Sequence, residues 1–320
     1  MHQPRFRSLF FAAFCLPSLL ACGNGEQSPP SDGAGGGPAT ERFSFFVTSL
    51  RAMQQLSGSP DGFGGDLRFG ETGAGAGLRG ADKLCTTIAE QSLPENAKTW
   101  RAFLSATAGE DGEQVDAIDR IGAGPWYDRV GRLLALNKAD LGQVRPAGAD
   151  EAIIDDLPNE DGVPNHAPDP MAGEVDNHDV LTGSNEQGAL FSTDAGFTCN
   201  DWTSAVGNSG TPHCGHSWPR RGGPNGGPDE GPGMMLQGEG GAAPGGPMGT
   251  GGGMVFNGGG GPGAGPVVQG SGENWMSALD EAGCAPGAFI VEAGPPGANG
   301  TETVGDGGGY GAIYCFALSP

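Results

Sequence analysis

"GADKLCTTIAEQSLPENAKTWRAFLS", residues 80–105, predicts a helix followed by a strand. Asp82 is a typical helix-capping residue, and Cys85 and Ile88 recur at helical spacing on one apolar face. Pro94 ends this pattern, and in the TWRAFLS that follows, side chains alternate as they do in a half-buried strand. Cys85 is therefore expected on the face of the helix that packs against the core.

Elsewhere, short stretches favour strands over helices. Only NWMSALDEAG, residues 274–283, predicts a further short helix or turn. Few helices, many short strands and long glycine-rich connections together predict an α+β domain. The other strand candidates are 42–50, 131–136, 179–184, 287–293 and 310–318.

Glycine content and charge limit what the chain can fold and bind. The chain has 63 glycines in 320 residues, and they are concentrated in 222–271. Such a segment cannot bury enough apolar surface to offset its ordering entropy, so we predict a disordered insertion there. The folded domain would then comprise 42–221 and 272–320. A formal net charge of −22 repels phosphate backbones, so no nucleic-acid partner is expected.

The N-terminus has the pattern of an export signal. Two arginines precede an apolar run over 9–20 that is too short to span a bilayer. The LLAC at its end resembles the lipobox of bacterial lipoproteins, which implies removal of residues 1–21 and acylation of Cys22; a plain secretory signal is the alternative. Residues 22–41 predict a flexible Gly/Pro/Ser tether. The expected location is the outer membrane or cell surface, held by the lipid anchor alone.

Five cysteines remain beyond the signal peptide and the lipidation site. Near core elements of an exported protein, cysteines are more often disulfide-bonded than metal-ligating or catalytic. No CxxC pair occurs, so neither a thioredoxin-like site nor a zinc ribbon is indicated. The odd number leaves one thiol over. The five are Cys85, Cys199, Cys214, Cys284 and Cys315.

Six motifs occur in a recognisable order: FFVTS, a helix opened by GAD that carries a cysteine, WRAFLS, AIDRIG, CNDWTS and YCFAL. This order resembles the endostatin-like domain, a variant of the C-type-lectin fold found in collagen C-terminal regions and in bacterial, myxobacterial-type lipoproteins. The resemblance covers 42–221 and 272–320, with spacing stretched by insertions. It implies a single disulfide-stapled domain with long loops, in which Cys85 pairs with Cys315 and Cys199 with Cys284.

Residues 155–184 concentrate carboxylate, amide and imidazole groups. Calcium takes several such oxygens, and long loops on C-type-lectin scaffolds often supply them, although the EF-hand spacing is absent here. His166 and His178 with a carboxylate would instead suit zinc or another transition metal. A solvated acidic loop held by turns and prolines is the third interpretation. The candidate ligands are Asp155, Asp156, Asn159, Glu160, Asp161, His166, Asp176, His178 and Asp179.

A second cluster lies in TPHCGHSWPRRGG, residues 211–223. Cys214 between His213 and His216 predicts a free thiol, either a soft-metal ligand or an activated nucleophile. The alternative without a metal or catalytic role is shuffled or intermolecular disulfide pairing of this leftover cysteine.

These patterns favour binding over catalysis. No GxSxG, HExxH or P-loop sequence occurs, so the chain is not expected to be an enzyme. We expect a lipid-anchored surface protein that recognises a glycan or protein ligand, with calcium as the one candidate cofactor. The alternatives are a structural envelope or matrix component and a thiol- or metal-dependent enzyme centred on Cys214.

Overall fold

The computed structural model describes residues 40–165, 177–218, 274–290 and 295–320, all within one compact unit. The signal peptide, the lipidation site Cys22, nearly all of the tether and the insertion lie outside the described residues, so their assignments stay predictions. The fold is mixed α+β, as predicted. Its helices are α1 (Leu50–Ser57), α2 (Ala76–Ser92), α3 (Ala117–Arg120) and α4 (Lys138–Leu141). Its strands are β1 (Phe45–Val47), β2 (Trp100–Ala102), β3 (Trp126–Tyr127), β4 (Leu133–Ala135), β5 (Asp179–Leu181), β6 (His213–His216), β7 (Leu279–Asp280) and β8 (Gly309–Ala317).

The last strand, β8, is the centre of the main sheet. β1 and β2 both pair antiparallel with its C-terminal half, and β5 pairs in parallel with its N-terminal half. β6 and β7 extend the sheet beyond β5 with antiparallel pairing. β3 and β4 form a separate two-stranded sheet. The beginning and the end of the domain therefore lie side by side, and every residue of β8 is buried.

Aromatic side chains fill the core around β8. Trp100, Trp126, Trp202 and Trp275 are fully buried, as expected of core aromatics. Phe316 is the hub, because its ring packs against those of Phe45, Phe103, Trp126 and Trp275 at centroid distances of 4.9–6.2 Å. Such pairs contribute about 0.5–1.5 kcal/mol each beyond their buried area.

Helix α2 carries Cys85 on its buried face, as predicted, but it begins six residues before the predicted cap Asp82. Gly77 and Gly80, which precede Asp82, lie inside the helix, where other backbone approaches them closely. A Cβ on Gly77 would lie 2.1 Å from the carbonyl oxygen of Asp201, and one on Gly80 would lie 2.1 Å from that of Arg68. Close packing thus overrides the weak helix propensity of glycine.

Both disulfides implied by the resemblance are present. Cys85–Cys315 joins α2 to β8, and Cys199–Cys284 joins the CNDW turn to the segment that follows β7. Cross-links that close such long segments stabilise a fold by about 4–5 kcal/mol each in the chain-entropy model. Cys85 is therefore a structural residue, and Cys214 is the one free cysteine among the described residues.

The CNDW motif forms a left-handed turn. Four consecutive residues, Cys199 to Trp202, have φ between +47° and +62°, although L-residues rarely adopt this conformation in series. The turn is held by the disulfide, by the indole of Trp202 donating to the carbonyl of Ser105 (2.8 Å), and by Asp201. The Asp201 carboxylate accepts hydrogen bonds from the backbone N–H and hydroxyl of Thr107.

Three local predictions were incomplete or wrong. α1 was not predicted, because its signal is a Ser49 cap and a short polar sequence. Residues 274–283 form no helix and contain β7, because Leu279 and Asp280 pair with β6. The described part of 287–293 forms no strand; Pro286, just before it, has no backbone N–H to continue a ladder.

Candidate functional site

In the acidic segment, three of the predicted calcium ligands have structural roles. Glu160 is buried and holds Ser49, the N-cap residue of α1, because its carboxylate accepts hydrogen bonds from the N–H and hydroxyl of Ser49 (2.9 and 2.5 Å). The Asn159 side chain accepts from two backbone N–H groups of its own turn. Asp161 forms an exposed ion pair with Arg51. These contacts match the interpretation of an acidic segment held by turns.

The other candidates in this segment divide into three groups. Asp155 is exposed and Asp156 half-buried, at the end of a turn over 151–156. His166 and Asp176 lie outside the described residues. His178 and Asp179, in contrast, are buried at the start of β5.

His178 and Asp179 lie next to His216, which the sequence analysis had grouped with Cys214 in residues 211–223. Asp179 Oδ1 lies 3.0 Å from His216 Nε2 and 3.5 Å from His178 Nε2. The two imidazole rings meet edge to face at 4.2 Å between centroids. Among the described residues, this is the only group of three or more His, Cys, Asp or Glu donor atoms that lie within 4.8 Å of one another. All three side chains are at most 1% exposed. We call them the His–Asp cluster.

Strand pairing explains this meeting. Asp179 on β5 is directly opposite His216 on β6, and His178 precedes the strand. The N–H of Ser217 donates to the carbonyl of His178 (2.8 Å). Arg145 donates to the carbonyls of His216 and Ser217 at 2.8 and 2.7 Å. The backbone on both sides of the cluster is therefore fixed by hydrogen bonds.

Glu281 completes the surroundings of Asp179. The backbone of Gly307 packs against both carboxyl groups. Its N–H donates to Glu281 (2.9 Å), and a Cβ at this position would lie 2.8 Å from Asp179 Oδ2. Burial, and then the neighbouring charge of Asp179, raise the pKa of Glu281 well above its usual value. Two adjacent carboxylates would repel each other, whereas a protonated Glu281 can donate a hydrogen bond to Asp179.

His213 is separate from the cluster, although it is on the same strand as His216. Its ring stacks on Phe191 with centroids 3.6 Å apart. Its Nδ1 lies 2.6 Å from Asp280, and its Nε2 lies 2.8 Å from the hydroxyl of Ser277. Both ring nitrogens of His213 therefore contact side chains in β7 or just before it.

Cys214 is fully buried. Burial, followed by the negative charges of Glu281, Asp179 and Asp280, raises the pKa of its thiol well above the usual value. A catalytic cysteine needs the opposite environment, since the thiolate is the nucleophile. This geometry indicates a buried, unreactive thiol, which matches neither the activated nucleophile nor the shuffled or intermolecular pairing predicted from the sequence.

The sequence missed Glu281 and Arg145, because no spacing pattern connects them to the histidines. The cross-strand pairing of β5 with β6 was the only signal, and the sequence does not show which strands pair. Chemically, the cluster offers two imidazole nitrogens and a carboxylate within reach of one cation.

No helix among the described residues is long and apolar enough to cross a membrane. No family model matches the chain, and no curated protein matches it.

Proposed function

We propose that the chain is a lipid-anchored protein of the outer membrane or cell surface whose endostatin-like domain recognises a glycan or protein ligand, with calcium as an assisting ion. The fold assignment is supported by the pairing of the first and last strands and by the nested disulfides. The lipobox-like LLAC supports the anchor.

The observation that carries the binding role is the meeting of four chain positions at one end of the sheet. The Asn165 side chain donates to the Asn177 carbonyl (3.3 Å) and the Ser217 hydroxyl (3.0 Å). The N–H of His216 donates to the Asn274 carbonyl (3.1 Å). We call this region, defined by Asn165, Asn177, Ser217 and Asn274, the loop pole.

Long connections of the chain therefore leave and re-enter the fold at one place. The acidic segment packs there too, because the N–H of Leu157 donates to the Ser217 carbonyl (2.9 Å). In many binding proteins, a rigid scaffold positions the loops that contact the ligand. The same acidic segment exposes Asp155 and Asp161.

Binding is tested with residues 22–320 carrying Cys22→Ser, exported through a standard signal peptide. This chain is applied to a glycan panel and to intact cell surfaces, with and without calcium. We expect saturable binding that Asp155→Asn with Asp161→Asn weakens at least tenfold. The matched control is Asp111→Asn with Glu113→Gln, which removes the same charge at other exposed positions.

Absence of saturable binding on every surface would overturn the proposal. Concentration-dependent self-association without ligand binding would favour the structural envelope role instead. The anchor is tested separately, because Cys22→Ser should move the protein from the membrane fraction to the soluble fraction.

A further inference from the structure

We propose that His178, Asp179 and His216 bind one divalent transition-metal ion, with zinc the best match. This inference goes beyond the proposed function and does not depend on it. It rests on the convergence of three donor atoms from two paired strands within one buried space.

The distances fit a tetrahedral ion. With zinc–ligand bonds of 2.0–2.1 Å, neighbouring ligand atoms of a tetrahedral site lie about 3.3–3.4 Å apart. The measured separations from Asp179 Oδ1 are 3.0 Å to His216 Nε2 and 3.5 Å to His178 Nε2. These two separations bracket the ideal edge, and all three donor atoms lie within 4.8 Å of one another.

The donor set selects the class of metal. Two imidazole nitrogens with one carboxylate suit zinc and its transition-metal neighbours, whereas calcium and magnesium prefer shells of oxygen atoms. The calcium proposed above concerns the exposed carboxylates of the acidic segment, whereas the donor set of this cluster argues against calcium here.

The cluster is enclosed by protein. The ligands are fully buried, and the backbone around them is held by Arg145 and by the His178–Ser217 hydrogen bond. Glu281 packs beside Asp179, where an outer carboxyl group orients the ligating one. An ion here would connect β5 to β6 next to the loop pole, because His178 follows Asn177 and His216 precedes Ser217. We therefore assign it a stabilising role rather than a catalytic one.

The experiment uses residues 22–320 with Cys22→Ser and no polyhistidine tag, because such a tag would itself bind zinc. The chain is stripped with a chelator, checked for folding by circular dichroism, and titrated with zinc, cobalt or calcium by calorimetry. We expect one equivalent of zinc to bind, the melting temperature to rise by several degrees at zinc about 100 times above its Kd, and excess calcium not to displace zinc.

His216→Gln and His178→Gln should each lower zinc affinity at least 100-fold. The matched control is His213→Gln, which removes an imidazole from the same strand but leaves the cluster intact and should bind zinc like the wild type. If a cluster variant does not fold, the visible absorption spectrum of the cobalt-loaded wild type tests the assignment instead. Intense visible bands of a four-coordinate ion without a thiolate charge-transfer band support the assignment.

No zinc uptake by the folded, stripped wild type would overturn the proposal, as would a thiolate band that places the ion on Cys214. Unchanged zinc binding by folded His216→Gln would overturn it equally. None of these outcomes depends on whether a glycan or protein ligand is found.

Discussion

Asp82 in α2 and Arg120 in α3 form a buried ion pair, with 2.7 Å between Asp82 Oδ1 and Arg120 Nη2. The side chains are only 13% and 10% exposed. Both groups also bond the backbone of Ala102 in β2, Asp82 by accepting from its N–H and Arg120 by donating to its carbonyl. The pair thus connects two helices and a strand around the Cys85 disulfide.

Asp82→Asn should lower the free energy of unfolding by about 3–5 kcal/mol, because it leaves Arg120 buried without its main counter-charge. Urea unfolding measures this. The control is Asp161→Asn, which breaks the exposed pair with Arg51 and should cost about 1 kcal/mol or less. Similar losses in the two variants would show that burial does not set the strength of the Asp82 pair.

Glu160 should make stability fall with rising pH. Burial raises its pKa above the usual 4.5, and the hydrogen bonds from Ser49 oppose this only in part. The folded state therefore holds the proton more tightly than the unfolded state does. Its contribution is fully present below pH 4.5 and is lost as the pH rises through the folded pKa.

Glu160→Gln removes this titration, so stability relative to the wild type should improve as the pH rises above 4.5. Unfolding curves over a pH series measure the difference. Glu151→Gln, at an exposed position, is the control and should leave the pH dependence unchanged. A wild-type slope that persists in Glu160→Gln would assign the effect to other groups.

Cys214 should resist thiol reagents in the folded protein. In residues 22–320 with Cys22→Ser, the two disulfides leave Cys214 as the one thiol, and it is buried with a raised pKa. Thiol titration should find no reactive group in the native state and one after denaturation. Rapid alkylation of the native protein would instead revive an activated cysteine and the enzyme alternative.

The sequence predicted correctly the features that depend on a local pattern or on the family resemblance. Cys85 was predicted to be buried from helical spacing alone, and its pairing with Cys315 followed from the resemblance. Asp82 was assigned to the wrong role, because a capping residue type is indistinguishable in sequence from a buried acid that meets a distant arginine. In the AIDR motif, Arg120 pairs with Asp82 rather than with its neighbour Asp119, which is exposed.

The candidate site was predicted only in parts. His178, Asp179 and His216 were each singled out, but they were placed in two unrelated clusters. Their convergence depends on the pairing of β5 with β6, which joins residues far apart in the chain. Register between distant strands is set by the whole core, so a local pattern cannot supply it.

The left-handed turn gives the last prediction. Asn200 has φ +57° and ψ +55° and is exposed. Glycine adopts this conformation without strain, whereas a Cβ costs roughly 1–2 kcal/mol. Both Asn200→Gly and Asn200→Ala lose the side-chain bond to Thr203, so the comparison isolates the backbone. Asn200→Gly should therefore be more stable than Asn200→Ala by about 1 kcal/mol in urea unfolding.

The control position is Glu90, which is exposed in the right-handed helix α2. There the order should reverse, with Glu90→Gly less stable than Glu90→Ala by about 1 kcal/mol. Opposite signs at the two positions would establish the left-handed backbone in solution. The same sign at both would mean that Asn200 is not left-handed, and the disulfide at Cys199 would then be held by a different turn.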